Sequence, residues 1–168
     1  MAGDSTGVPD SAGVPDSSIV PGSAHQHARS PISKRQQRRL AKAVDRAEEL
    51  TGLQLAVYLG PTEDDSRAHA ESIFASMGYH DLPGVLVLVA PDQRRLEIVT
   101  SASARRRISD RHAALTATSM TASFAVGDIV GGVCLGLDML ARYAGLAPAG
   151  ETTDRELPDV IMGYDDPA

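Results

Sequence analysis

The stretch Gly84 to Ser101, GVLVLVAPDQRRLEIVTS, limits the possible folds more than any other in the chain. Val85 to Val89 is apolar at every position. Such a run fits a strand covered on both faces. Leu96, Ile98 and Thr100 alternate with Glu97 and Val99, which fits a strand with one wetter face, nearer a sheet edge. Between them stands Pro91-Asp92-Gln93-Arg94, short enough for a hairpin. Proline fixes φ early in such a turn, and aspartate bonds its own downstream backbone. A strand buried on both faces needs a layer of structure over each.

The preceding residues supply the rest of a crossover. Ser33-Lys34-Arg35-Gln36 has capping-box form, and Leu40, Val44, Ala47 and Leu50 follow at helical spacing to Gly52. Leu53, Leu55, Val57 and Leu59 alternate as a strand that Gly60-Pro61 ends. Thr62-Glu63-Asp64-Asp65 then opens a helix with its acids at the positive end of the dipole. Its apolar stripe is Ala70, Ile73, Phe74 and Met77, and Gly78 closes it. Strand, helix and strand make a parallel crossover, to which the hairpin adds an antiparallel neighbour.

Beyond the hairpin, the residues predict a short helix over Ser103–Ile108 and a longer one from Arg111 to about Ser123, capped by Asp110. Asp128 caps a last helix, Ile129–Ala144, which stops at Gly145. Its Gly132 and Gly136 would let it approach the sheet closely. The expected fold is α/β: a three-layer α/β/α sandwich around a small mixed sheet.

Charge divides the chain into parts. Residues 30–145 hold 14 of the 16 basic and 13 of the 22 acidic residues, close to neutrality, so the net −6 resides at the ends. Residues 1–30 are rich in Gly, Pro, Ser and Asp and repeat GVPDS; they read as a disordered tail before a domain over 31–146. Residues 147–168 read as a second, acidic and mostly disordered tail, with Leu157, Val160, Ile161 and Met162 as a possible docking segment. One cysteine, Cys134, excludes an intrachain disulfide and a thiolate metal cluster. With no signal-like or membrane-spanning stretch, the expected location is the cytoplasm, membrane-peripheral association remaining open.

The order and spacing of the second half resemble the TPM domain family, which includes thylakoid-lumen and photosystem-repair proteins and a modulator of acetylcholine receptors. The residues are Asp92-Gln93-Arg94, Leu96 and Ile98, Ile108-Ser109-Asp110, and Phe124-Ala125-Val126-Gly127-Asp128 with Gly131-Gly132. The resemblance covers about residues 32–145 and implies a divergent branch from high-GC (actinobacterial) organisms. The family's Gly-x-Gly-Leu-Glu position reads Ser101-Ala102-Ser103-Ala104-Arg105 here, without glycines and with arginine for the acid.

That resemblance implies a divalent cation, Ca²⁺ or Mg²⁺, and, for some members, phosphatase activity. Hard cations take several oxygen ligands, and Asp92, Asp110 and Asp128 lie on loops that the fold would bring toward one sheet edge. Each is equally explained as a turn former or helix cap. Hydrolysis also needs a nucleophile or activated water. Ser101, Ser103 and Ser109 are available, as are His80 and His112 as bases, but no motif selects among them. His25 and His27 form an H-x-H pair in the first tail.

Arg105, Arg106, Arg107 and Arg111 form an anion-binding candidate, and Lys34, Arg35, Arg38, Arg39 and Lys42 a second basic patch. No aromatic stacking platform or nucleic-acid motif accompanies them. The expected function is a non-catalytic or weakly cation-binding interaction module for another protein or an anionic ligand. The alternatives are a metal-dependent phosphatase and a phosphate-binding module.

Overall fold

A computed structural model describes residues 30–149 and 158–164; His25, His27, Leu157 and both predicted tails, apart from the few described residues, lie outside it. Helix α1 is Lys34–Thr51. Ser33 accepts the Gln36 N–H while the Gln36 side chain accepts the Ser33 N–H, and Gly52 ends the helix at φ 66°. Strand β1 (Gln54–Leu59), helix α2 (Ser66–Ser76) and strand β2 (Gly84–Ala90) form the predicted crossover. Strand β3 is Arg95–Thr100, joined to β2 by a tight turn at Pro91–Gln93. Then come α3 (Ala102–Arg105), α4 (Asp110–Ala125) and α5 (Ile129–Ala144).

Within the segment expected to be mostly disordered, Val160–Met162 form a fourth strand, β4. The sheet order is β3-β2-β1-β4, with β1 parallel to both neighbours and β3 antiparallel to β2. Val160, Ile161 and Met162 settle there because β1 otherwise offers an unpaired edge.

Every residue of β1 and β2 is buried, as two-sided cover requires. On one face α1, α4 and α5 pack over Leu55, Val57, Leu59, Val85, Val87 and Val89. On the other, α2 brings Ala70, Ile73, Phe74 and Met77 against Ala56, Tyr58, Leu86 and Leu88. The fold is the α/β sandwich expected, with a mixed four-stranded sheet.

Three local expectations change. Ser109, not Asp110, caps α4: its backbone is extended and its side chain accepts the His112 N–H. Asp110 is therefore the first helical residue. The short helix begins at Ala102, because Ser101 accepts the Ala104 N–H. Finally, Gly132 and Gly136 face α4 rather than the sheet, lying under Phe124 and Met120.

Candidate functional site

Asp92 sits in the turn at the carboxyl end of β2. The Tyr164 hydroxyl donates to its Oδ2 at 3.4 Å, and burial, then the Asp92 charge, pushes that phenol up to about 12. Next to it Gln93 fastens the turn to the β1–α2 loop. Its Oε1 accepts the Thr62 N–H at 2.6 Å, and its Nε2 donates to the Thr62 carbonyl at 2.7 Å. The Glu63 N–H donates to His69 Nδ1, and the Thr62 hydroxyl lies 3.0 Å from the same atom. A ring nitrogen that accepts is unprotonated, so His69 carries its proton on Nε2.

The three aspartates do not converge. Asp110 begins α4 and Asp128 follows its far end, so a 16-residue helix of about 24 Å lies between them. Asp128 is committed to its cap, accepting the Gly131 N–H at 2.8 Å. Among the described residues no group of three or more His, Cys, Asp or Glu side chains is placed to hold a metal ion.

The arginine cluster divides as well. Arg105 faces Asp110 at 3.6 Å, both well exposed, so each lowers the other's pull on ions. Arg106 and Arg111 point to solvent. Arg107 turns inward and donates four hydrogen bonds, to the carbonyls of Thr51 (2.8 Å), Ala144 (3.0 Å), Gly145 (2.9 Å) and Leu146 (3.1 Å). It ties together the carboxyl ends of α1 and α5, committing four of its five N–H donors there. It acts as a structural clamp.

The hydroxyl candidates are likewise engaged. Ser101 Oγ accepts the N–H groups of Gly84 and Ala104 and meets Ser103 Oγ at 3.1 Å. The His112 ring stacks on Tyr143 at 4.1 Å, with its Nδ1 buried and unbonded. Burial raises the Cys134 thiol above its usual range, which keeps it protonated and unreactive.

One feature escaped the sequence reading. Glu48 Oε1 accepts the Leu55 N–H at 2.7 Å, and burial, followed by the charges of Asp159 and Asp45, pushes its carboxyl up to about 7. The folded protein thus keeps this proton to about pH 7, whereas the unfolded chain sheds it near 4.5. Unfolding releases a proton within that window, so stability falls as pH rises through it. Urea midpoints at about pH 5.5 and 8 should differ in that direction, and Glu48→Gln, which can still accept from Leu55, should narrow the difference.

The basic patch expected on the first helix lies on the outer face of α1, where Arg35, Arg38, Arg39 and Lys42 are all exposed and Arg46 extends them. They recur at helical spacing and carry no ion pair among the described residues. Beyond Arg46 a groove of about 290 Å³ opens between α1 and α5, lined by Leu50, Arg142 and Leu146 among others.

Residues 11–141 match the model of a domain of unknown function, DUF5130. The chain belongs to the DUF5130 family. Its fold is similar to the NMR structure of the BA42 protein from the psychrophilic bacterium Bizionia argentinensis. There, 18% identity spans 79% of this chain and 95% of that one, at a TM-score of 0.69. The N-terminal domain of a P. gingivalis protein aligns at TM-score 0.59 and 16% identity, over 68% of this chain and 78% of that one. The N-terminal domain of the cg2496 protein from Corynebacterium glutamicum gives 0.55 and 11%, over 74% and 84%. At such identities the likeness is one of fold, so the DUF5130 domain shares its layered sheet with all three. No helix among its described residues is long and apolar enough to cross a membrane.

Proposed function

We propose that this chain is a TPM-like, non-catalytic interaction module that docks an acidic protein partner on the outer face of α1. One observation carries the reading: Arg35, Arg38, Arg39, Lys42 and Arg46 are exposed together on one helix face. The first turn of that helix holds no acid, so the cations begin where the helix dipole is already positive. That placement disfavours the isolated helix by a few tenths of a kcal/mol per charge. An acidic partner reverses the sign of the effect, being attracted by the side chains and the helix end alike. The groove at Leu50 and Leu146 extends the basic face with apolar surface that such a partner would cover.

The test is binding of fluorescent poly-glutamate to the full chain and to Arg35→Glu/Arg38→Glu/Arg39→Glu. The wild type should bind at low ionic strength and release near 0.15 M salt, where the Debye length is about 8 Å. The reversed chain should bind at least about tenfold more weakly while melting no lower, since acids suit the helix start. Equal binding by both proteins would remove α1 as the docking face.

A further inference from the structure

We propose that the outer edge of β1 is a docking groove for an extended peptide of a partner protein, closed by the chain's own residues 158–164. This surface is distinct from the basic face of α1 and works by backbone pairing rather than charge.

The edge is only partly used. Toward β2, β1 pairs along all six residues, Gln54 to Leu59. Toward β4 it pairs only at Val57 to Leu59, and the three residues of β4 are each only half-buried. The Val57 N–H donates to the Asp159 carbonyl and the Gly163 N–H to the Leu59 carbonyl, each at 2.9 Å. Two residues before Val57, the Leu55 N–H faces the same side, because donors alternate along a strand. There the acceptor is Glu48 Oε1, standing where the next carbonyl of a longer strand would lie. A side chain thus plugs an edge that a strand is able to fill, a means by which proteins guard open edges.

The groove belongs to the family domain, whereas its occupant lies outside it. Residues 11–141 carry the DUF5130 match, and the docked segment begins beyond them. Side-chain sites flank the edge on both faces: Val160 and Met162 join one core and Ile161 the other. The segment then passes Gly60 through Gly163, where a β-carbon would lie 2.6 Å from Tyr58 Cζ. It ends on Tyr164, which is 7% exposed and bonded to Asp92. The groove therefore reads apolar residues at successive positions on alternate faces, then glycine, then a phenol.

The occupant is chosen by competition. The chain's own segment is tethered, at an effective concentration on the order of millimolar, so the identical segment of a second copy cannot displace it from dilute solution. A partner's segment wins only by binding better, and the edge shows two ways to do so. A peptide longer at its amino end would take over the Leu55 N–H from Glu48. A base at the position of Asp159 would face Glu48 of α1, with Asp45 also near that carboxyl. The partner segment is accordingly extended, apolar and basic at its amino end, in the pattern Lys-Val-Ile-Met-Gly-Tyr.

Fluorescence anisotropy with labelled peptides tests this on the full chain. The probes are residues 158–164 and the same peptide carrying Asp159→Lys or Gly163→Ala. Tyr164→Ala unlatches the resident segment and should bind the lysine peptide at least about tenfold more tightly than the wild type does. The lysine peptide should exceed the parent, the Gly163→Ala peptide should fail, and 0.5 M salt should reduce but not abolish binding (salt screens only the charge contribution, roughly within 4–5 Å there). If Tyr164→Ala does not fold, Met162→Ala, which trims the resident segment and leaves the groove unchanged, replaces it. A folded, unlatched variant that binds no peptide would overturn the proposal, as would a Gly163→Ala peptide binding as well as its parent. A wild-type dimer that the lysine peptide does not dissociate would place a second copy in the groove instead, and overturn the partner. Neither result bears on poly-glutamate binding at α1.

Discussion

Replacing Arg107 with alanine is expected to lower the unfolding free energy by about 3 kcal/mol, the typical size of losing a charged donor from several partly buried acceptors. Helices end with carbonyls that have no partner within the helix, and these ends carry partial negative charge. The Arg107 guanidinium meets both conditions at once, bonding Thr51 at the end of α1 and Ala144 with Gly145 at the end of α5. Leu146 adds a fourth acceptor, and the Ala147 N–H donates to the Leu50 carbonyl nearby. Without the arginine, these carbonyls return to water or stay unbonded, and α1 and α5 lose their joint fastening. Lysine keeps the charge but presents one ammonium where a planar fork spans separated carbonyls, so Arg107→Lys should recover less than half of the loss. Urea denaturation monitored by circular dichroism measures both. The neighbours serve as controls: Arg105→Ala and Arg106→Ala remove exposed side chains and should shift the midpoint by less than about 0.5 kcal/mol equivalent.

Why one of three consecutive arginines matters was not legible in the sequence. Arg105, Arg106 and Arg107 are chemically identical, and what separates them is which carbonyls come near, a consequence of α1 and α5 ending at the same place. Features set by local rules were legible. The capping box at Ser33, the left-handed stop at Gly52, the Asp128 cap and the β2–β3 turn each follow from neighbouring residues. So was the two-sided burial of β2, because an unbroken apolar run allows no other placement. Strand β4 was marked only as an apolar segment able to dock, because three residues on a sheet edge take their form from a partner strand about a hundred residues away. The raised carboxyl of Glu48 arises similarly from burial between elements apart in sequence, with the Leu55 N–H pulling the other way. The separation of Asp110 from Asp128 is a different case. The helix predicted between them already implied about 20 Å at 1.5 Å per residue, so their divergence was present in the sequence and needed only that arithmetic. Loops joining successive helices alternate between ends of a layered fold, and carboxylates at both ends of one helix cannot share an ion.

The α4–α5 contact yields the other large effect, because glycine there works against its usual tendency. Within a helix, glycine costs about 1 kcal/mol relative to alanine, so filling Gly136 would stabilise an isolated α5. In the folded protein a β-carbon at Gly136 would lie 2.8 Å from Met120 Cγ and 3.3 Å from its Cε. Met120 is fully buried and has no open space to swing into, so the two helices must separate. Gly136→Val is therefore expected to destabilise by about 2–3 kcal/mol, the range for overpacking a closed core. Met120→Ala alone should also be costly, about 2–5 kcal/mol, since it leaves a cavity beneath α5. Combined, the two substitutions should cost less than their sum by at least about 1 kcal/mol, because the valine enters the space the methionine leaves. Strict additivity in that cycle would mean that Gly136 owes its place to something other than the approach of α4. The same reasoning orders the second glycine. At Gly132 the nearest atom is Phe124 Cε1 at 2.7 Å, then Phe124 Cδ1 and Ser123 Cβ at 2.9 Å, and an aromatic ring yields less readily than a methionine chain. Gly132→Val should therefore be at least as damaging as Gly136→Val, and Phe124→Ala should relieve it where Met120→Ala does not.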